Sequence, residues 1–179
     1  GRPDATREQI IAAARAAKFK SVSVDLIYGL PLQTVASFDV TLSKIIALRP
    51  DRIACYNYAH LPQRFSSQRA IDRLTLPSPE EKLLLQQMIS HTLQDAGYLY
   101  IGMDHYVLPE DELARALQEG RLQRNFQGYS LHMADDLLGL GVSAISQIGD
   151  FYLQNDRGLE AYYQLVDSGR MPFTRGCKV

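Results

Sequence analysis

From Thr6 to Met103 the chain alternates helix-patterned with strand-patterned segments, and that order most narrows the folds open to it. Thr6 is followed three residues on by Gln9, a pairing that satisfies two orphan amides at a helix start. Ile10, Ala13, Ala14 and Ala17 then share one face, and the helix is expected to end near Lys18. Ser21 to Tyr28 reads as a strand: Val22, Val24, Leu26 and Tyr28 alternate with Ser23, Asp25 and Ile27, and Gly29-Leu30-Pro31 stops the run. Thr34 caps a second helix with Phe38, Leu42, Ile45 and Ile46 as its apolar stripe, broken at Arg49-Pro50-Asp51. Arg52 to Ala59 is the second strand. Ser78-Pro79-Glu80-Glu81 opens a third helix that buries Leu85, Met88, Ile89, Leu93 and Ala96 and closes at Gly97. Leu99 to Met103 is the third strand. Helices between successive strands predict an α/β fold with a parallel sheet and helical crossovers.

Of 179 residues, 46% are apolar and 22% charged, a balance that suits a globular chain with a real core and excludes disorder. Nineteen Lys and Arg against twenty Asp and Glu give a formal charge of -1, so no basic excess drives general nucleic-acid binding. The longest nearly uncharged apolar stretch, Leu137 to Ile148, is too short and too rich in Gly and Ser to cross a bilayer, and no signal peptide precedes it. A soluble, cytoplasmic chain without membrane partners is expected. Cys55 and Cys177 are the only cysteines. They build neither a disulfide framework nor a zinc or iron-sulfur cage, and no HxxxH or HExxH spacing pairs the histidines, so no metal site is expected.

Beyond Asp104 the alternation weakens. A short helix is expected from Glu110 to Glu119, irregular chain through Tyr129, a Gly-rich segment from Gly139 to Gly149 and a last helix from Gly158 to Val166. Both ends read as cut rather than finished.

Asp25 is the most informative residue. A carboxylate in the middle of an apolar strand must meet a partner or a ligand if it is desolvated. In an α/β barrel Val22, Val24 and Leu26 would face the helices, and Ser23 and Asp25 the lumen, where a cofactor sits. The competing reading is a structural carboxylate paired with an Arg or capping a loop amide. Asp104-His105 ends the third strand, where ligand loops of α/β proteins emerge, although a His bonded to a backbone carbonyl is the plainer reading. His91 falls off its helix's apolar stripe and reads as solvated. Gly139-Leu140-Gly141-Val142-Ser143-Ala144 matches a GxGxxA dinucleotide string with Glu160 about twenty residues on, but no helix is expected to open there, and close backbone packing is preferred. Arg64, Arg69, Arg73, Arg115, Arg121 and Arg124 could clamp a polycarboxylate substrate or stand in solvent.

Several strings together carry a family signal: SVSVDLIYGLPLQT, YNYAHLPQRFSSQRAI, PSPEEKLLL, GYLYIGMDHYVLPEDELARALQEGRLQRNFQGYS and DLLGLGVSAISQIGD. The chain resembles oxygen-independent coproporphyrinogen III oxidase along essentially its whole length. The segments around Asp104-His105 and Asn125-Phe126-Gln127-Gly128-Tyr129 separate that family from its haem-chaperone-like relatives, which share DLIYGLP; a tetrapyrrole-binding relative without oxidase activity is the alternative. The resemblance implies a radical S-adenosylmethionine enzyme on an incomplete (β/α) barrel, with the later barrel half over residues 1–106. A mostly helical or irregular substrate-covering segment would follow over residues 107–179.

It further implies two S-adenosylmethionine molecules and a four-iron, four-sulfur cluster. A 5'-deoxyadenosyl radical takes hydrogen from a propionate, which loses carbon dioxide and one electron to leave a vinyl group. Repetition on a second propionate turns coproporphyrinogen III into protoporphyrinogen IX. A tetrapyrrole substrate, an electron-donor protein and a monomeric state are the implied partners. By motif match, Asp25 and Ala59 would contact a second S-adenosylmethionine and Ile145 the first. The family's CxxxCxxC cluster motif is absent from these 179 residues, so this stretch alone is expected to be inactive.

Overall fold

The computed structural model describes residues 6–125, 128–131 and 136–178. They fall into two compact units, residues 1–121 and 122–179. Phe126 and Gln127, part of the NFQGY segment singled out above, lie outside the described residues.

The first unit runs α1 (Arg7–Ala16), β1 (Ser23–Tyr28), α2 (Val35–Leu48), β2 (Arg52–Asn57), α3 (Pro79–Asp95), β3 (Leu99–Gly102), β4 (His105–Val107) and α4 (Glu112–Gln118), with two short 3-10 turns between β2 and α3. The helix starts form as their sequences dictate. Thr6 and Gln9 make a reciprocal capping box, as do Thr34 with Ser37 and Ser78 with Glu81. Arg49 ends α2 in the left-handed conformation, φ 47°. In α1 the buried residue is Ile11, while Ile10 stands exposed, contrary to the expected stripe. Adjacent residues lie about 100° apart on a helix, so a short, alanine-rich segment fits either one inward, and only the surface it meets decides.

The core forms where Phe38, Leu42 and Ile45 of α2 and Leu85, Ile89 and Leu93 of α3 meet Tyr28, Ile53, Cys55 and Tyr106 on one sheet face. Val24 and Leu26 pack against the same cluster, so one face of β1 is given over to the helices. Each fully buried Leu or Phe contributes about 2 kcal/mol by removal from water.

The sheet order is β1-β2-β4-β3. β1 and β2 pair in parallel through a helical crossover, as expected. The third strand departs from expectation: it folds back into β4, which inserts antiparallel between β2 and β3. The two loop residues, Met103 (φ 46°) and Asp104 (φ 66°), are both left-handed, the backbone of a type I′ turn whose twist matches paired strands. The sheet of the first unit is therefore mixed.

The second unit also differs from the helical or irregular chain expected. Its described residues form a hairpin of β5 (Gln123–Asn125) and β6 (Gly128–Ser130) and a four-stranded antiparallel sheet of β7 (Asp136–Leu137), β8 (Ile145–Ile148), β9 (Phe151–Asn155) and β10 (Phe173–Lys178) in the order β10-β9-β8-β7. α5 (Leu159–Asp167) matches the expected last helix. Strands of two to six residues separated by Gly and Ser carry too little period-two pattern to be seen locally.

Candidate functional site

The face of the first unit's sheet turned away from α2 and α3 is where chemistry can sit. Register places three rows on it: Ser23, Arg52 and Val107; then Asp25, Ala54 and His105; then Ile27 and Tyr56. α4 closes the first row. Arg52 donates from Nε to Asp111 Oδ2 at 2.9 Å and from Nη2 to Glu112 Oε1 at 2.9 Å, while Ser21 donates to Asp111 Oδ2 at 3.0 Å. Asp111 also caps α4 by accepting from the Leu113 amide at 2.8 Å. Burial lowers the Arg52 pKa, but the hydrogen bonds its guanidinium donates to these carboxylates and their charges outweigh it and hold the group above its ordinary value.

The second and third rows are open. Asp25 is exposed, on the face opposite α2 and α3, and makes no hydrogen bond or ion pair among the described residues. The structural alternative, an Arg partner or a capped loop amide, is not what these residues show. Its burial is not what marks it, since the strand is covered on one side only; its orientation is as expected. Ala54, between Asp25 and His105, is a buried methyl floor, 2% exposed. Tyr56 stands edge-on to His105, ring centroids 5.8 Å apart at 83°, with its hydroxyl 3.5 Å from His105 Nε2. His105 Nδ1 lies 2.5 Å from the Met103 carbonyl oxygen, so this His does bond a backbone carbonyl, at a hairpin turn rather than a strand exit.

Ala59 is exposed just past the end of β2. Its carbonyl accepts from Gln68 Nε2 at 3.1 Å, and Gln68 Oε1 accepts from the Leu61 amide at 2.5 Å, so one glutamine fixes this loop. Asp25, midway along β1, and Ala59, past the carboxyl end of β2 where α/β sheets bind ligands, thus share the first unit. A cavity of about 490 Å³ lies toward the amino-terminal ends of β1 and β2, among Lys20, Ser21, Asp51, Asp111 and Arg115, with Asp111 already committed to Arg52 and Ser21.

Ile145 lies in the second unit, half-buried at the start of β8, and lines an apolar groove of about 230 Å³ with Tyr152, Leu153 and Cys177. The GxGxxA string beside it opens no helix. It is a packing loop: a Cβ on Gly139 would sit 2.6 Å from the Ile145 carbonyl oxygen, and buried Asn155 donates from Nδ2 to the carbonyls of Gly139 and Gly141. The dinucleotide reading falls, and close backbone packing stands.

Burial, with the Asp104 carboxylate nearby, pushes the Cys55 thiol up to about 12. At neutral pH it stays a buried thiol. Among the described residues no cluster of three His, Cys, Asp or Glu could hold a metal ion, and no helix is long and apolar enough to cross a membrane. His91 is solvated as expected. Several of the arginines have local partners: Arg69 bonds the Pro62 carbonyl, Arg115 that of Glu110, Arg121 pairs with Glu119, and Arg124 lies over the Tyr129 ring. Sequence reasoning missed Arg52, Tyr56 and Asn155. An Arg opening a strand just after a break was the one available signal.

Comparison with known proteins ties these features to a class. The solved structure of coproporphyrinogen III oxidase (HemN) from Escherichia coli, a radical SAM enzyme, superposes with a TM-score of 0.91 at 49% identity, covering 96% of this chain and 40% of that one. The chain is therefore related to the radical SAM class. Within it, the chain is homologous to the oxygen-independent coproporphyrinogen III oxidases: it is 53% identical to that of Pseudomonas aeruginosa over 174 residues, 97% of this chain and 38% of the relative. It is likewise 53% identical to that of Escherichia coli over 91% of this chain and 36% of the relative, and 45% identical to that of a Synechocystis species over 99% and 38%. The chain thus spans less than two fifths of the length of these curated relatives. No family model matches it. The resemblance read from the sequence is borne out.

Proposed function

We propose that this chain is a segment of an oxygen-independent coproporphyrinogen III oxidase, contributing an open sheet face from an incomplete (β/α) barrel to the decarboxylation of two propionates. The observation that carries this reading is Asp25, exposed on the sheet face turned away from α2 and α3 and unpaired among the described residues. A carboxylate so placed is available to the hydroxyls or ammonium group of an S-adenosylmethionine molecule. Ala59, on the Gln68-braced loop, would line the same nucleoside through backbone and methyl contact, and Ile145 would give apolar contact to another such molecule.

The sulfonium cofactor supplies the hydrogen-abstracting chemistry when bound. These residues do not fit the iron-sulfur cluster: Cys55 is buried with a raised pKa, Cys177 lies in the other unit, and no CxxxCxxC occurs. The cluster's thiolates would come from parts of the parent protein beyond this sequence. The electron donor and the tetrapyrrole are partners of that whole protein.

Anaerobic incubation of the full-length parent with reductant, S-adenosylmethionine and coproporphyrinogen III tests the reading. The divinyl product is expected. Tetrapyrrole bound but never converted would instead favour a haem-chaperone-like protein.

A further inference from the structure

The open face has two chemically unlike sides. Asp25 and His105 are in register on either side of Ala54. Neighbouring strands stand about 4.8 Å apart, so the two side chains rise about 10 Å from one another across a methyl floor. Ile27 and Tyr56 continue that floor as apolar surface, 46% and 39% exposed. An anion is repelled from the Asp25 side and finds its hydrogen-bond donors on the other.

His105 is oriented for that role. A carbonyl oxygen only accepts, so the contact with Met103 makes Nδ1 the donor and sets the ring. Nε2 is then the atom turned toward Tyr56. It accepts from the phenol in the neutral ring and donates in the imidazolium, and the Tyr56 hydroxyl reorients to donate alongside it. A carboxylate arriving between the imidazolium and the Tyr56 hydroxyl meets a donor from each.

We propose that His105, with Tyr56, anchors a carboxylate of the substrate, so that a propionate-bearing ligand lies over Ala54 with its acid group held away from Asp25. This rests on the oxidase reading and deepens it, adding a substrate-binding role to a residue pair on the face where Asp25 meets the cofactor.

The test uses the full-length parent and coproporphyrin III, the stable oxidised form of the tetra-acid, against its tetramethyl ester, which keeps the macrocycle and loses the charge. Binding is followed by fluorescence, with S-adenosylmethionine binding measured in parallel. The wild type should prefer the acid. His105→Ala should weaken acid binding by about tenfold, as expected for a lost charge-assisted hydrogen bond, and leave ester and S-adenosylmethionine binding unchanged. His105→Gln, which keeps a donor, should recover part of the acid preference. An unchanged acid-to-ester ratio in His105→Ala overturns the proposal while leaving the oxidase reading intact, as does equal loss of all three ligands. A wild type that binds neither tetrapyrrole overturns both.

Discussion

Arg52 and Asp111, 59 residues apart in sequence, meet at 2.9 Å and fasten α4 across one end of the sheet. The Asp111 side chain is 2% exposed and that of Arg52 25%, so the pair is largely withdrawn from water. Asp111→Ala removes the buried one of the two carboxylates that Arg52 pairs with and uncaps α4 together. Breaking one partner of such a pair costs about 3 kcal/mol, and urea titration of the variant should show a loss near that size. Asp111→Asn, which keeps the cap to Leu113, should lose less.

Asp25 sets the opposite expectation. It touches nothing that the fold needs, so Asp25→Ala should leave thermal stability within about 0.5 kcal/mol of the parent. Cofactor occupancy should fall, and cluster assembly should be unaffected, because the carboxylate is no cluster ligand. Iron content and S-adenosylmethionine binding on the full-length variant measure the two separately. Normal occupancy would remove Asp25 from the site.

Alkali should unfold the first unit through its buried acids. Burial pushes Cys55 from 9.0 to about 12, and it pushes Tyr98, whose hydroxyl donates to the Pro50 carbonyl, from 10.0 to about 12. The folded state therefore keeps protons that the unfolded chain releases earlier. Stability is full below about pH 9 and declines as pH rises toward 12, by roughly 2 to 4 kcal/mol for each group. Circular dichroism against pH should show this fall, and Cys55→Ala should make it shallower above pH 9.

In the second unit, Gly139→Ala should disturb β8. The added Cβ meets backbone, the Ile145 carbonyl at 2.6 Å, and backbone cannot turn aside as a side chain can. A lower melting temperature and faster amide exchange in Ile145–Ile148 are expected. An unperturbed spectrum would show that the loop relaxes freely.

What could be read from the sequence was local. Thr6 with Gln9 and Ser78 with Glu81 carry their own hydrogen-bond partners within one turn, and both caps form. The alternation of Val24, Asp25 and Leu26 separates two faces whatever the sheet around it, so the direction of Asp25 was legible too. The β3–β4 hairpin was not, because Met103-Asp104 lacks the Asn-Gly or Asp-Gly pair that usually marks a type I′ turn, and pairing with β2 holds the strained backbone in place. The row of Asp25, Ala54 and His105 was illegible for a related reason: it exists only through the register of three strands, which no single segment encodes.

With the α4 clasp over the first row of the open face, Asp25 stays reachable past the loops that leave β1 and β2. Substitutions from Gly29 to Gln33 and from Tyr58 to Gln68 can therefore retune which molecules enter, while the hydrophobic layer beneath keeps its packing. Ligand choice and fold durability are inherited on separate stretches of chain.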